Sequence, residues 1–199
     1  MTRLVLIRHG ETCYNKENRY CGTSDPELNK TGISQAESLA RRIRDLKIER
    51  VYSSNLKRAI QTAGILFEGS AIKQSPDFRE INFGIFEGLG YKEILQRYKN
   101  HYSNWTADLV HGCIPQGETL AEVFDRVRRG LLRLLSDNKN GVAALVAHSG
   151  PIRALLCDAL KLGMDSFWLI EQHNAALNIV NYSEDQKPHV EILNDISHL

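Results

Sequence analysis

The chain alternates between two hydrophobic periods along its whole length, and this constrains the fold more than any other feature. "RLVLI" (Arg3 to Ile7) is a continuous apolar run of the kind that forms a strand buried on both faces. "TGISQAESLARRIRDL" then places Ile33, Ala36, Leu39, Ala40, Ile43 and Leu46 on one helical face, with Thr31 as the expected N-cap. "ERVYSS" reads as a short strand, "LKRAIQTAGILF" as a helix, and "AIKQSP" as a strand ended by Pro76. A long amphipathic helix is expected from Gly117 to about Ser136, apolar along Leu120, Val123, Phe124, Val127, Leu131, Leu134 and Leu135. "GVAALVAHSG" is the most strand-like stretch. "PIRALLCDAL" follows as a helix with Pro151 near its first turn, and "AALNIVNY" and "HVEIL" close the chain as strands.

Strand and helix in turn predict an α/β fold, a mostly parallel central sheet with helices on both faces. One domain is expected over residues 1–199. Its middle, about residues 87–116, is polar and aromatic with weak periodicity. Two short helices are expected there, Tyr91 to Tyr98 and His101 to Ala107, as a small helical lid.

Composition narrows the partners. Lys and Arg total 25 against 24 Asp and Glu, a formal charge of +1. A general nucleic-acid or membrane-surface binder would carry a clear basic excess. No apolar run approaches the ~20 residues that span a bilayer, and the N-terminal run leads straight into polar residues, so it reads as a strand and not as a signal peptide. Cys13, Cys21, Cys113 and Cys157 form no C-x-x-C pair and fit no zinc spacing. They read as free thiols of a cytoplasmic protein. No metal and no cofactor is expected. The sequence leaves open whether the chain assembles with copies of itself.

In open α/β sheets the ligand site lies beyond the carboxyl ends of the strands. Arg8, His9 and Gly10 follow the first strand, and Asn55 and Arg58 the second. Arg79 and Glu80 follow "AIKQSP", and His148, Ser149 and Gly150 follow "GVAALVA". Arginine matches phosphate oxygens with a fork of donors and stays charged. Histidine can be a covalent nucleophile, and glutamate can protonate a leaving oxygen. The set suits phosphoryl transfer, where positioning and charge stabilisation dominate. Taken singly, Arg58 would read as a solvated helix residue and Glu80 as a surface acid. Glu11, Arg79 and Glu87 stay open between site and scaffold. Arg41, Arg42, Arg44, Arg128 and Arg129 read as solvated. His101, His111, His173, His189 and His198 read as structural or exposed, and Trp105 and Trp168 as packing residues.

These segments resemble the histidine phosphatase superfamily, the phosphoglycerate mutase-like fold. "LIRHGET" with Asn15 is similar to its R-H-G-[EQ]-[ST]-x-x-N signature. "LNKTGISQAESLARRI", "VYSSNLKRAIQTA", "FREINFGIFEG", "PQGETLAEVFDRV" and "VAHSG" resemble further family segments in family order, over most of the chain. Ser149 stands where the family usually has a second glycine. The resemblance implies that His9 is the nucleophile, forming a phosphohistidine, and that Arg8, Arg58 and His148 bind the phosphoryl group. It implies Glu80 as general acid and then base, and Asn15, Thr12, Thr23 and Ser149 as substrate contacts. It also implies a small phosphorylated metabolite as substrate and arginines in place of metal cations. Within the superfamily, the compact length, "EINFGIFEG", Asn104 with Trp105, and "PQGET" are similar to the α-ribazole phosphatases, which remove the 5′-phosphate of α-ribazole phosphate in cobalamin nucleotide-loop assembly. A broad-specificity sugar-phosphate or nucleotide phosphatase and a phosphoglycerate mutase are the alternatives. An inactive member serving as a binding module is the reading from a different class.

Overall fold

The structure, a computed structural model, describes residues 1–183 and 187–199. Six strands form one sheet: β1 (Thr2–Arg8), β2 (Arg50–Ser54), β3 (Ile72–Ser75), β4 (Gly141–Ala147), β5 (Leu177–Tyr182) and β6 (His189–Asp195). Their order is β3-β2-β4-β1-β5-β6. The pairs β3–β2, β2–β4 and β4–β1 are parallel. β1–β5 and β5–β6 are antiparallel. The parallel majority follows from helices that carry the chain back between β1, β2, β3 and β4. The antiparallel end follows from a short return between β5 and β6 that holds no described helix.

The two central strands, β1 and β4, are the most apolar. Leu4 to Ile7 and Ala143 to Ala147 are fully buried, as both faces are covered. One face packs against α5 (Leu120–Asp137) and α6 (Ser149–Leu160), with Val123, Val127, Leu131, Leu134, Ile152 and Leu155 in that core. The other packs against α2 (Lys30–Ile43) and α3 (Lys57–Leu66), through Leu39, Ile43, Ala59 and Ala63. A short α1 (Cys13–Lys16) follows β1, and α4 (Tyr91–Ala107) lies in the middle segment. No helix among the described residues is long and apolar enough to cross a membrane.

Two local expectations change. Asn29, not Thr31, caps α2; its side chain accepts from Gly32 N, and Thr31 lies inside the first turn. The long helix begins at Leu120 and not Gly117, because Thr119 and Glu122 form a reciprocal capping box. Gly117 belongs to the preceding loop, where an added Cβ would lie 2.7 Å from the Asn82 carbonyl. The middle segment carries the two short helices expected of it: α4 is two helical stretches that meet at a kink at Tyr98, which leaves helical geometry (φ −136°, ψ 31°). The segment stays ordered around an aromatic cluster. Phe86, Ile94, Trp105 and Ile114 are buried there, with Tyr20, Phe83, Tyr98, Tyr102 and Trp168 against them.

Candidate active site

The register of β1 against β4 builds the centre of the site. Arg8 pairs with Ala147, so the next residues, His9 and His148, leave adjacent parallel strands side by side. His9 N donates to the Ala147 carbonyl at 3.0 Å. The two rings meet edge-on with centroids 5.0 Å apart. Both are buried, at 3 % and 0 % exposure.

The hydrogen bonds assign the His9 tautomer. His9 Nδ1 lies 2.7 Å from the Gly10 carbonyl, which can only accept, so Nδ1 carries the proton. His9 Nε2 is then a lone pair, and Arg58 Nε donates to it at 3.2 Å. Ser54 Oγ accepts from Leu56 N and lies 2.8 Å from His148 Nε2. The hydroxyl can give to or take from Nε2, so this contact leaves the His148 tautomer open, and His148 Nδ1 has no partner among the described residues. Burial, with Arg58 beside both rings, pushes both imidazoles well below the usual histidine range, so both are neutral near pH 7.

Arg58, in the first turn of α3, is fully buried. Its Nη1 donates to Ser24 O at 2.7 Å and its Nη2 to Gly22 O at 2.8 Å. Asp25 is its nearest carboxylate, at 4.0 Å. Arg8 donates from Nη1 to Gln172 O at 2.5 Å, while its Nε has no partner. Burial pushes the Arg8 guanidinium down to about 10, and Glu80 opposes that shift. Arg8 stays cationic at neutral pH.

Glu80 lies in the loop after β3 and meets the N-terminus of α6. Its Oε1 accepts from Ile81 N at 2.9 Å and Gly150 N at 3.0 Å, and its Oε2 from Ser149 Oγ at 3.0 Å. The start of a helix favours a negative group. Gly150 is required, because a Cβ there would lie 2.2 Å from Glu80 Oε1. Arg126, buried within the apolar stripe of α5, holds this loop from behind. It donates to the carbonyls of Asp77, Arg79 and Glu80 at 2.9, 2.7 and 3.1 Å. Its charge is met by Glu118 at 2.9 and 3.1 Å.

Arg8, His9, Asn15, Glu80 and Ser149 open onto one cavity of about 250 Å³, with Asn18, Arg19, Tyr20, Cys21 and Phe83 as its outer wall. Arg58 and His148 stand directly behind His9. Two of the residues put forward as substrate contacts lie elsewhere. Thr12 is fully buried and spends its hydroxyl on the cap of α1, bonded to Asn15. Thr23 is exposed, and its N–H is held by Glu87 Oε1 at 3.0 Å. Glu11 accepts from Asn29 Nδ2, and Arg79 pairs with Glu118, so both serve the framework.

Sequence reading missed the outer wall, and it missed Asn174, whose Nδ2 donates to the His9 carbonyl at 3.2 Å. None of the lining residues belongs to the middle segment 87–116, which reaches the cavity through Tyr20, Phe83 and Arg19, whose Nη1 donates to Gly88 O at 2.7 Å and Glu93 Oε2 at 3.3 Å. Tyr20 sits 5.1 Å from Phe83 and 6.1 Å from Trp105, ring centre to ring centre. Among the described residues no three His, Cys, Asp or Glu side chains group as they would around a metal ion.

Comparison with known proteins agrees with this geometry. The chain is 30% identical to phosphoserine phosphatase 1 of Hydrogenobacter thermophilus over 186 residues, 92% of this chain and 88% of that one. The solved α-ribazole phosphatase of Shigella flexneri superposes with a TM-score of 0.91 at 26% identity, covering 98% of this chain and 96% of that one. A phosphoserine phosphatase of Entamoeba histolytica, solved with phosphoserine, superposes with a TM-score of 0.89 at 26% identity over the full length of both chains. Residues 4–196 match the profile of the histidine phosphatase superfamily, branch 1, and the chain belongs to that superfamily.

Proposed function

We propose that this chain hydrolyses phosphomonoesters through a phosphohistidine at His9. The observation that carries this is the orientation of His9, whose Nδ1–H is anchored on Gly10 O and whose Nε2 lone pair is held by Arg58. Nε2 attacks phosphorus, the bond from phosphorus to the ester oxygen breaks, and Glu80 supplies the proton to the departing alcohol. Water then attacks the phosphohistidine, Glu80 takes its proton, the P–N bond breaks, and phosphate leaves with the lone pair back on Nε2. Arg8 Nε and His148 Nδ1 are buried without partners among the described residues, and in the tautomer that protonates Nδ1 both donate to phosphoryl oxygens. Asn15 and Ser149 contact the substrate from the cavity wall. Cationic side chains do the work of a metal, so the reaction proceeds in excess EDTA.

The substrate we propose is α-ribazole 5′-phosphate. Its support is the likeness to the Shigella enzyme and the presence of two aromatic residues, Tyr20 and Phe83, in the outer wall, where they suit contact with a planar base. A phosphoserine phosphatase is the second reading, favoured by the Hydrogenobacter relative. The free thiols Cys13, Cys21, Cys113 and Cys157 support a reducing, cytoplasmic setting.

The test is phosphate release in EDTA from α-ribazole 5′-phosphate, phosphoserine, 3-phosphoglycerate and p-nitrophenyl phosphate. A kcat/KM near ~10⁴ M⁻¹s⁻¹ or above for α-ribazole phosphate, well over the others, supports the assignment. The same value for phosphoserine moves the substrate to the second reading. No hydrolysis of any ester, with no label on His9 from a ³²P-phosphoester, leaves a binding module.

A further inference from the structure

Arg58 is an unusual cation: it is fully buried, yet among the described residues no carboxylate stands within hydrogen-bonding distance of its guanidinium. Its partners are the peptide carbonyls of Gly22 and Ser24, with Cys21 O at 3.5 Å. The N–H groups of the same segment point the other way and need partners of their own. Glu87 supplies them. Its carboxylate accepts from Gly22 N at 3.1 Å, Thr23 N at 3.0 Å, Ser24 N at 3.1 Å and Ser24 Oγ at 2.7 Å. The segment is thus a layer of peptide dipoles with an anion on its N–H side and a cation on its carbonyl side. The layer is tightly fitted, since a Cβ on Gly22 would lie 1.9 Å from Ile81 O and 2.2 Å from Glu87 Oε1. Glu87 also accepts from Phe83 N at 3.0 Å, three residues beyond Glu80.

We propose that Glu87 is a positioning residue: through the Gly22–Ser24 layer it aims Arg58, and through Arg58 it aims the attacking nitrogen of His9. It touches neither substrate nor the reacting atoms. The same carboxylate ties the nucleophile's support to the loop that carries Glu80, so it sets both sides of the cavity at once. This rests on His9 being the nucleophile, as proposed above.

The experiment compares Glu87→Gln with the unaltered protein. A glutamine turns an NH₂ toward N–H donors, so part of the layer must rotate away and release Arg58. Arg58 then no longer stands against the His9 ring, and the His9 imidazole protonates more easily. An NMR titration of His9, assigned by its absence in H9Q, should move up by about one pH unit in E87Q. The acid limb of the kcat/KM profile for p-nitrophenyl phosphate should rise with it, and kcat should fall by about tenfold or more. In an R58A background E87Q should add little, because its route is already cut.

An unmoved His9 titration, or the same loss in R58A as in the unaltered protein, overturns the proposal. The titration needs no turnover, so it decides this point even if the chain hydrolyses nothing, an outcome that would instead defeat the proposed function. Should E87Q fail to fold, Ser24→Ala removes one of the Glu87 bonds and leaves the rest. A smaller upward shift of His9 in S24A supports the proposal, and none overturns it.

Discussion

Replacing Gly150 by alanine tests the placement of Glu80 with a single methyl group. Position 150 is helical, so alanine suits the backbone. The added carbon would sit 2.2 Å from Glu80 Oε1 and 2.8 Å from Ile81 Cγ1. The carboxylate must retreat by about 1 Å to restore ordinary contact, and its bonds from Gly150 N at 3.0 and 3.3 Å are lost. A 1 Å displacement of a reacting group costs on the order of 100-fold in rate, about 2.7 kcal/mol of barrier. Stability falls by no more than that. Alanine returns about 0.5–1 kcal/mol of helix propensity against roughly 1.5–3 kcal/mol for a hydrogen bond to a charged group. The net loss is about 0.5–2.5 kcal/mol, so a melting temperature about 1–10 °C lower is expected.

The assay is kcat on two esters. An alkyl phosphate needs its leaving oxygen protonated and should lose about 100-fold, within the ~10²–10⁴ range of general acid catalysis. p-Nitrophenolate departs without a proton, so its ester should lose less than about tenfold. Equal losses on both esters, or full activity on the alkyl phosphate, would refute the reasoning.

His9→Ala should abolish turnover and leave the far-ultraviolet dichroism unchanged; residual turnover near the unaltered level would remove His9 as the nucleophile. Stability should be flat above about pH 7 and decline below about pH 6. Both buried histidines are pushed below the usual range, so there the unfolded chain binds two protons that the folded one does not. Each contributes about 1.4 kcal/mol per pH unit. Urea midpoints at pH 7, 6 and 5 should show this slope, and His148→Asn should remove about half of it. Arg126→Met takes the donor from the Asp77, Arg79 and Glu80 carbonyls and one of two arginines from Glu118, and should cost about 3–5 kcal/mol, read as a fall of about 6–20 °C in thermal melts.

Strands β1, β2 and β4 were legible because "RLVLI", "ERVYSS" and "GVAALVA" are apolar runs of strand length. The rule that ligands gather at strand carboxyl ends then picked out Arg8, His9, Arg58, Glu80 and His148. What stayed hidden has physical causes. Glu87 binds backbone N–H groups, which leave no trace in side-chain identity. Arg126 did carry a signal, a charge on the same helical face as Val123, Val127 and Gly130, but only its carbonyl partners explain it. Thr12 with Asn15 three residues on was itself a capping pattern, and that pattern accounts for Thr12 better than substrate contact does. The packing of Tyr98 and Tyr102 against Phe86 at the kink of α4 is a tertiary fact that no periodicity shows.

The place of β1 in the sheet bears on how the protein is made. Both neighbours of β1 come late: β4 begins at Gly141 and β5 at Leu177. At a synthesis rate of ~5–20 residues per second, β1 waits on the order of 7–30 s on the ribosome before its first partner emerges. Through that interval Leu4 to Ile7 form an unpaired apolar edge of the kind that seeds aggregation. Only α2, ending at Ile43, and α3, ending at Leu66, are made soon enough to cover one face, through Leu39, Ile43, Ala59 and Ala63. A nascent chain short of His148 has neither β4 along the edge of β1 nor a complete candidate site. Assembly of that site and protection of the first strand therefore arrive together, late in translation.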